Sequence, residues 1–167
     1  ILMSNFLTDF TVNEAGNILT VKRAFAANIS LVWDAWTKAE ILDQWWAPLP
    51  YKAKTKSQVF APNGHWHYAM IGPNNDTHWG MMQYKEITKP DFFSANDVFC
   101  NENGATNSNL PSTDFEIKFT VEGDTTMVNM VSVYATKEAL EEILAMGMKE
   151  GLSMALAQLD GVLAAAK

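Results

Sequence analysis

Cysteine is nearly missing from this 167-residue sequence, where Cys100 stands alone. One thiol cannot close an internal disulfide, so a reducing, cytoplasmic setting is expected. Basic charge is also scarce. Twelve Lys and Arg stand against nineteen Asp and Glu, giving a net charge of -7. Phosphate contacts need clustered cations, so no nucleic acid partner is expected, nor an anionic membrane surface. No apolar run reaches the roughly 20 residues of a membrane span, which argues against membrane insertion. No basic-then-apolar leader opens the sequence, and Met3 is read as the native start behind Ile1 and Leu2. There is no glycine-rich phosphate loop, internal repeat or linker, so residues 1–167 are read as one domain with its core at about 17–163.

Apolar bulk is what the sequence has in abundance. Hydrophobic residues make up 48%, with six Trp, nine Phe and nine Met. Any one of these is more often plain core. Together, wide aromatics and flexible thioethers suit an adaptable apolar pocket.

Alternation of apolar and polar residues predicts strands at about 17–25, 51–60, 64–71, 77–87, 92–100, 113–121 and 127–134. Short turns join most of them, which implies antiparallel neighbours. Residues 101–112 (NENGATNSNLPS) read as an exposed, mobile loop. Between the first two strands lie two short helices. Ser30 is positioned to cap the first, and Thr37 with Glu40 forms a capping box for the second, which Pro48 and Pro50 end. Too short to stand alone, they must pack Val32, Trp36, Ile41, Leu42 and Trp45 or Trp46 onto something larger. Thr136 opens a long helix from Lys137 to about Ala165, its apolar stripe running through Leu140, Ile143, Met148, Met154 and Leu159, with Asp160 opposite. Gly147 and Gly151 lie within that stripe, where glycine costs about 1 kcal/mol against alanine. Their presence implies either a close approach to the backbone or open space beside it. The fold class is therefore α+β: a curved, roughly seven-stranded antiparallel sheet wrapped around a long C-terminal helix.

The segments VKRAFAANISLVWDAWTKAEILDQWW (21–46), PNGHWHYAM (62–70), GMMQYKEI (80–87) and EALEEILAMGMKEGLSMALAQLDGVL (138–163) resemble the heat-shock-protein ATPase activator homologue-like family. That family lies within the START-like, or SRPBCC, helix-grip superfamily. The resemblance implies the same sheet-and-helix architecture and a ligand-binding cavity of uncharacterised specificity. Ala61-Pro62-Asn63-Gly64 stands where relatives often carry Arg-Pro-Gly-Gly, so no role for that Arg carries over. Asn63 fits a position of positive φ, which asparagine tolerates.

The expected cavity wall comprises Trp66, Tyr68, Met70, Asp97, Phe99 and Phe115 on strands, Met148 and Leu152 on the last helix, and Trp36 and Trp46 near one end. Asp97 alternates with Phe99 and so points inward, where an apolar setting would raise its pKa; a structural bond to a group such as Arg23 is the competing reading. Glu86 is a second candidate polar group. His65, His67 and His78 share one sheet face if Ala69 pairs with His78, and three such groups could hold zinc. A register one residue away puts His78 on the cavity side. A solvated convex sheet face is the simpler reading of these histidines, so no metal and no cofactor is expected. No acid–base–nucleophile set accompanies the pocket. The expected partner is a hydrophobic small molecule, bound by a monomer or homodimer. A cyclase- or hydrolase-like enzyme and a co-chaperone-type interaction module are the alternatives.

Overall fold

A computed structural model describes residues 6–166, and the start-site reading at Met3 lies outside them. The elements run β1 (Asp9–Val12), β2 (Ile18–Phe25), α1 (Ile29–Thr37), α2 (Ala39–Trp45), β3 (Lys52–Val59), β4 (His65–Ile71), β5 (Thr77–Thr88), β6 (Phe92–Cys100), β7 (Thr113–Glu122), β8 (Thr125–Val133), α3 (Lys137–Ala145) and α4 (Met148–Ala166). The strands form one antiparallel sheet in the order β1-β2-β8-β7-β6-β5-β4-β3. The expected strands are all there. The eighth, β1, has only four residues, too few for alternation to announce it.

The concave face carries the core. Leu19, Val21 and Phe25 on β2, Trp66 on β4, Phe93 on β6, Ile117 and Phe119 on β7 and Val128 on β8 are all buried. The helices close over it with Val32, Trp33, Trp36, Leu42, Trp45, Leu156, Leu159 and Leu163. On the far face, β3 is an edge strand whose Lys52, Lys54 and Lys56 are exposed. Charged edges of this kind discourage pairing with a second sheet.

Three local expectations are corrected. Asn28, not Ser30, caps α1, its side chain accepting from the Leu31 amide at 2.9 Å. Thr37 forms no capping box. Its hydroxyl donates back to the Trp33 carbonyl at 2.8 Å, while Gln58 of β3 accepts from the Ala39 amide at 3.0 Å and so caps α2 from outside. With only Lys38 between the two helices, a tertiary cap replaces the local one. Finally, the long helix is two helices. Gly147, at φ 87°, ends α3, and α4 starts at the next residue. Within α4 the buried stripe runs through Ala155, Leu156, Leu159 and Leu163, so Met154 is exposed rather than part of it, and Asp160 pairs with Arg23. The Thr136 cap holds, accepting from the Ala139 amide at 3.0 Å, and Asn63 takes the expected positive φ of 68°.

Residues 101–112 are exposed for most of their length but tied down. Asn101 Oδ1 accepts from the amides of Asn103 and Ala105, the Asn107 amide donates to the Phe99 carbonyl, and Lys56 donates to the Glu102 carbonyl. A polar sequence reads as mobile because its bonds run through asparagine side chains, which periodicity does not register.

Candidate functional site

Between the concave face and the junction of α3 with α4 lies a cavity of about 350 Å³. Leu19, Met70, Phe99, Phe115, Met130, Ile143, Met148, Leu152 and Ala155 make most of its wall apolar, with Trp46 and Pro48 at the helix-pair side. Of the ten expected wall residues, the structure brings together Trp46, Tyr68, Met70, Asp97, Phe99, Phe115, Met148 and Leu152. Trp36 and Trp66 lie behind the wall. Trp36 packs edge-on against Trp45 at 4.8 Å between centroids, and Trp66 stacks on Tyr68 at 4.1 Å while donating to Thr55 Oγ1. Both are essentially inaccessible. Alternation places a side chain on the inner face but does not say whether a second layer covers it.

The polar end of the cavity is built across three strands. Tyr68 of β4 pairs with Gly80 of β5, and a Cβ at Gly80 would sit 2.5 Å from the Tyr68 ring. The bare glycine lets the ring lie across β5. The hydroxyl then reaches Asp97 on β6, at 3.2 and 3.3 Å from its two oxygens. The accessible surface that Asp97 keeps faces the cavity, so its carboxyl is desolvated although not fully covered. That desolvation pushes its pKa up to about 7, against a smaller lowering by the Tyr68 hydroxyl. Burial, with the nearby Asp97 charge, raises Tyr68 well above the usual phenol range. The Trp46 indole N–H stands near the Tyr68 oxygen and favours its phenolate, yet makes no hydrogen bond of ordinary geometry.

Arg23 does not serve Asp97. It grips Asp160 of α4 with two bonds of 2.6 Å, tying β2 to the helix. Glu86 is exposed on a bulge between Tyr84 and Ile87 and stays away from the cavity. Sequence reasoning missed Thr113, Ser132 and Tyr134 as wall residues. Ser132 and Tyr134 continue the two-residue alternation of Val128 and Met130, a signal that was present but attached to polar side chains.

The register pairs Met70 with His78, so His78 takes the cavity side and the three-histidine face is not formed. His78 sits at the rim, 3.5 Å from Asp76, whose carboxylate also accepts from the Tyr51 hydroxyl. That hydroxyl holds Asp76 below the usual carboxylate range. His65 contacts Ser57 Oγ at 2.8 Å and His67 the Asn101 carbonyl at 3.1 Å, on the opposite face. Among the described residues no group of three His, Cys, Asp or Glu could hold a metal ion. Partial burial and Asp97 raise the Cys100 thiol, the reverse of what an activated nucleophile needs. No helix among the described residues is long and apolar enough to cross a membrane.

Comparison with solved structures places this geometry among similar proteins. Protein Ms6760 from Mycobacterium smegmatis is 30% identical, with 93% of this chain and 96% of that one covered at a TM-score of 0.86. A protein from Arthrobacter aurescens is 27% identical, with 93% and 91% covered at 0.87. CalU16 from Micromonospora echinospora, at 17% identity, 93% and 82% coverage and 0.58, shares the fold alone. A comparison with curated proteins gives no match. The family model described as Activator of Hsp90 ATPase homolog 1-like protein matches residues 26–164. That match spans most of the chain, and the chain belongs to this START-like, helix-grip family.

Proposed function

We propose that this protein is a single-domain, cytoplasmic binder of a hydrophobic small molecule held in the cavity between the sheet and α3–α4. One observation carries the reading: about 350 Å³ of mostly apolar-walled space, partly open to solvent, lies between the sheet and the α3–α4 junction. Ligand pockets of about 300–1,000 Å³ are mostly apolar with a few orienting polar groups, as Tyr68 and Asp97 are here. Native mass spectrometry with a panel of fatty acids, sterols and polyketide-like aromatics tests it. The expected result is a one-to-one adduct that survives desolvation, and failure of every compound to bind would count against the reading.

A second reading, acid–base catalysis in the same cavity, has one observation in its favour. Asp97, at about 7, is poised to exchange a proton near neutral pH. If replacing Asp97, Tyr68 and His78 one at a time left turnover of a bound compound unchanged, that reading would be dropped. A co-chaperone role has only the family description behind it.

A further inference from the structure

We propose that the cavity selects ligands whose polar end is a cationic nitrogen seated on the Asp97 carboxylate, and that it rejects ligands ending in a carboxylate. This inference rests on the binding reading above and names the ligand class that reading leaves open.

Asp97 is under-satisfied. An ionised carboxylate offers about four acceptor sites, and here one hydroxyl donates. Its contacts of 3.2 and 3.3 Å are longer than the roughly 2.5–2.7 Å of a strong hydroxyl-to-carboxylate bond. Among the described residues nothing cationic balances it. No Lys or Arg of these lines the cavity, Arg23 is held by Asp160, and His78 sits at the rim beside Asp76. The titratable groups around Asp97 are Tyr68 on β4, Tyr84 on β5, Cys100 on its own strand and Tyr134 beyond β8, each raised and so neutral at pH 7. From α3, α4 and the turn between them the wall brings Ile143, Met146, Met148, Leu152 and Ala155, all apolar.

A buried charge is stable only when paired or hydrogen-bonded. An ammonium supplies the missing counter-charge and up to three donors, for which the hydroxyls of Thr113 and Ser132 on the wall are further acceptors. A second carboxylate in the same low-dielectric space would meet like charge with no cation to relieve it. The net charge of -7 disfavours anions on approach as well.

Octylamine, octanol and octanoate share one tail and differ in the head, so titration calorimetry with the three separates head from tail. At pH 8 octylamine is expected to bind about tenfold or more tightly than octanol, with octanoate weakest. Lowering the pH to 6 should weaken octylamine by about tenfold as Asp97 takes up its proton, and leave octanol unchanged. Asp97→Asn should bring octylamine to within about threefold of octanol, while Tyr68→Phe, which keeps the carboxylate and removes its donor, should retain the preference. If octanol binds but octanoate matches octylamine, or Asp97→Asn keeps the amine preference, this inference is overturned and the cavity reading stands. If none of the three binds, the cavity reading falls and this inference with it.

Discussion

Asp97 shows how one residue can link stability to the site. Its folded-state pKa of about 7 lies above the ordinary aspartate value of 3.8, so the folded chain holds this proton more tightly than the unfolded one. The carboxyl therefore costs little below about pH 4, and its cost grows as pH rises towards 7, reaching on the order of 4 kcal/mol above it. Asp97→Asn removes the charge at constant shape. Denaturant unfolding should find the variant more stable than wild type at pH 8, with an advantage that shrinks by about 2–3 kcal/mol between pH 8 and pH 5 and vanishes only below about pH 4. Asp160 predicts the opposite sign. Asp160→Asn leaves the buried Arg23 guanidinium without its counter-charge, and the same measurement should show a loss of about 2–3 kcal/mol. Alternation made Asp97 legible in the sequence, because Phe99 two residues on shares its face. The Arg23–Asp160 pair was not legible, because it joins residues 137 apart, one of them on a helix whose beginning the sequence did not mark.

Gly147 fixes that beginning, and it belongs to the scale of the element. Two glycines in an apolar stripe implied either close packing or open space, and neither alone describes Gly147. A Cβ there would meet nothing within 4 Å, yet the residue sits at φ 87°. Its freedom is used for backbone conformation. Gly147→Ala should cost about 1–2 kcal/mol in thermal unfolding, and Gly147→Asn less, because asparagine tolerates the left-handed region better. Gly151 differs, since a Cβ there would make ordinary contact with Pro48 at 3.5 Å. Helix periodicity records which residues could share a face, not whether the backbone stays helical between them, so the sequence read α3 and α4 as one. The same limit explains α2. Its cap is Gln58, on a strand that packs beside it only after folding.

For the molecule as a whole, strand alternation and turn chemistry were enough to read seven of the eight strands, their antiparallel pairing and a helical layer closing over the sheet. The cavity needed more. Its existence depends on volume, on whether the side chains of facing layers meet, and that is why Trp36 and Trp66 fell behind the wall while Ser132 and Tyr134 came forward. Leu152 offers the most direct test, since it faces the cavity from α4 without lying in the fully buried core. Leu152→Trp should fill the space with bulk and keep the fold, as judged by circular dichroism. Titration calorimetry of octanol into wild type and Leu152→Trp then decides the central claim. Saturable one-to-one binding to wild type that is lost in the variant is the predicted result. Equal binding to both proteins, or none to wild type, would contradict it.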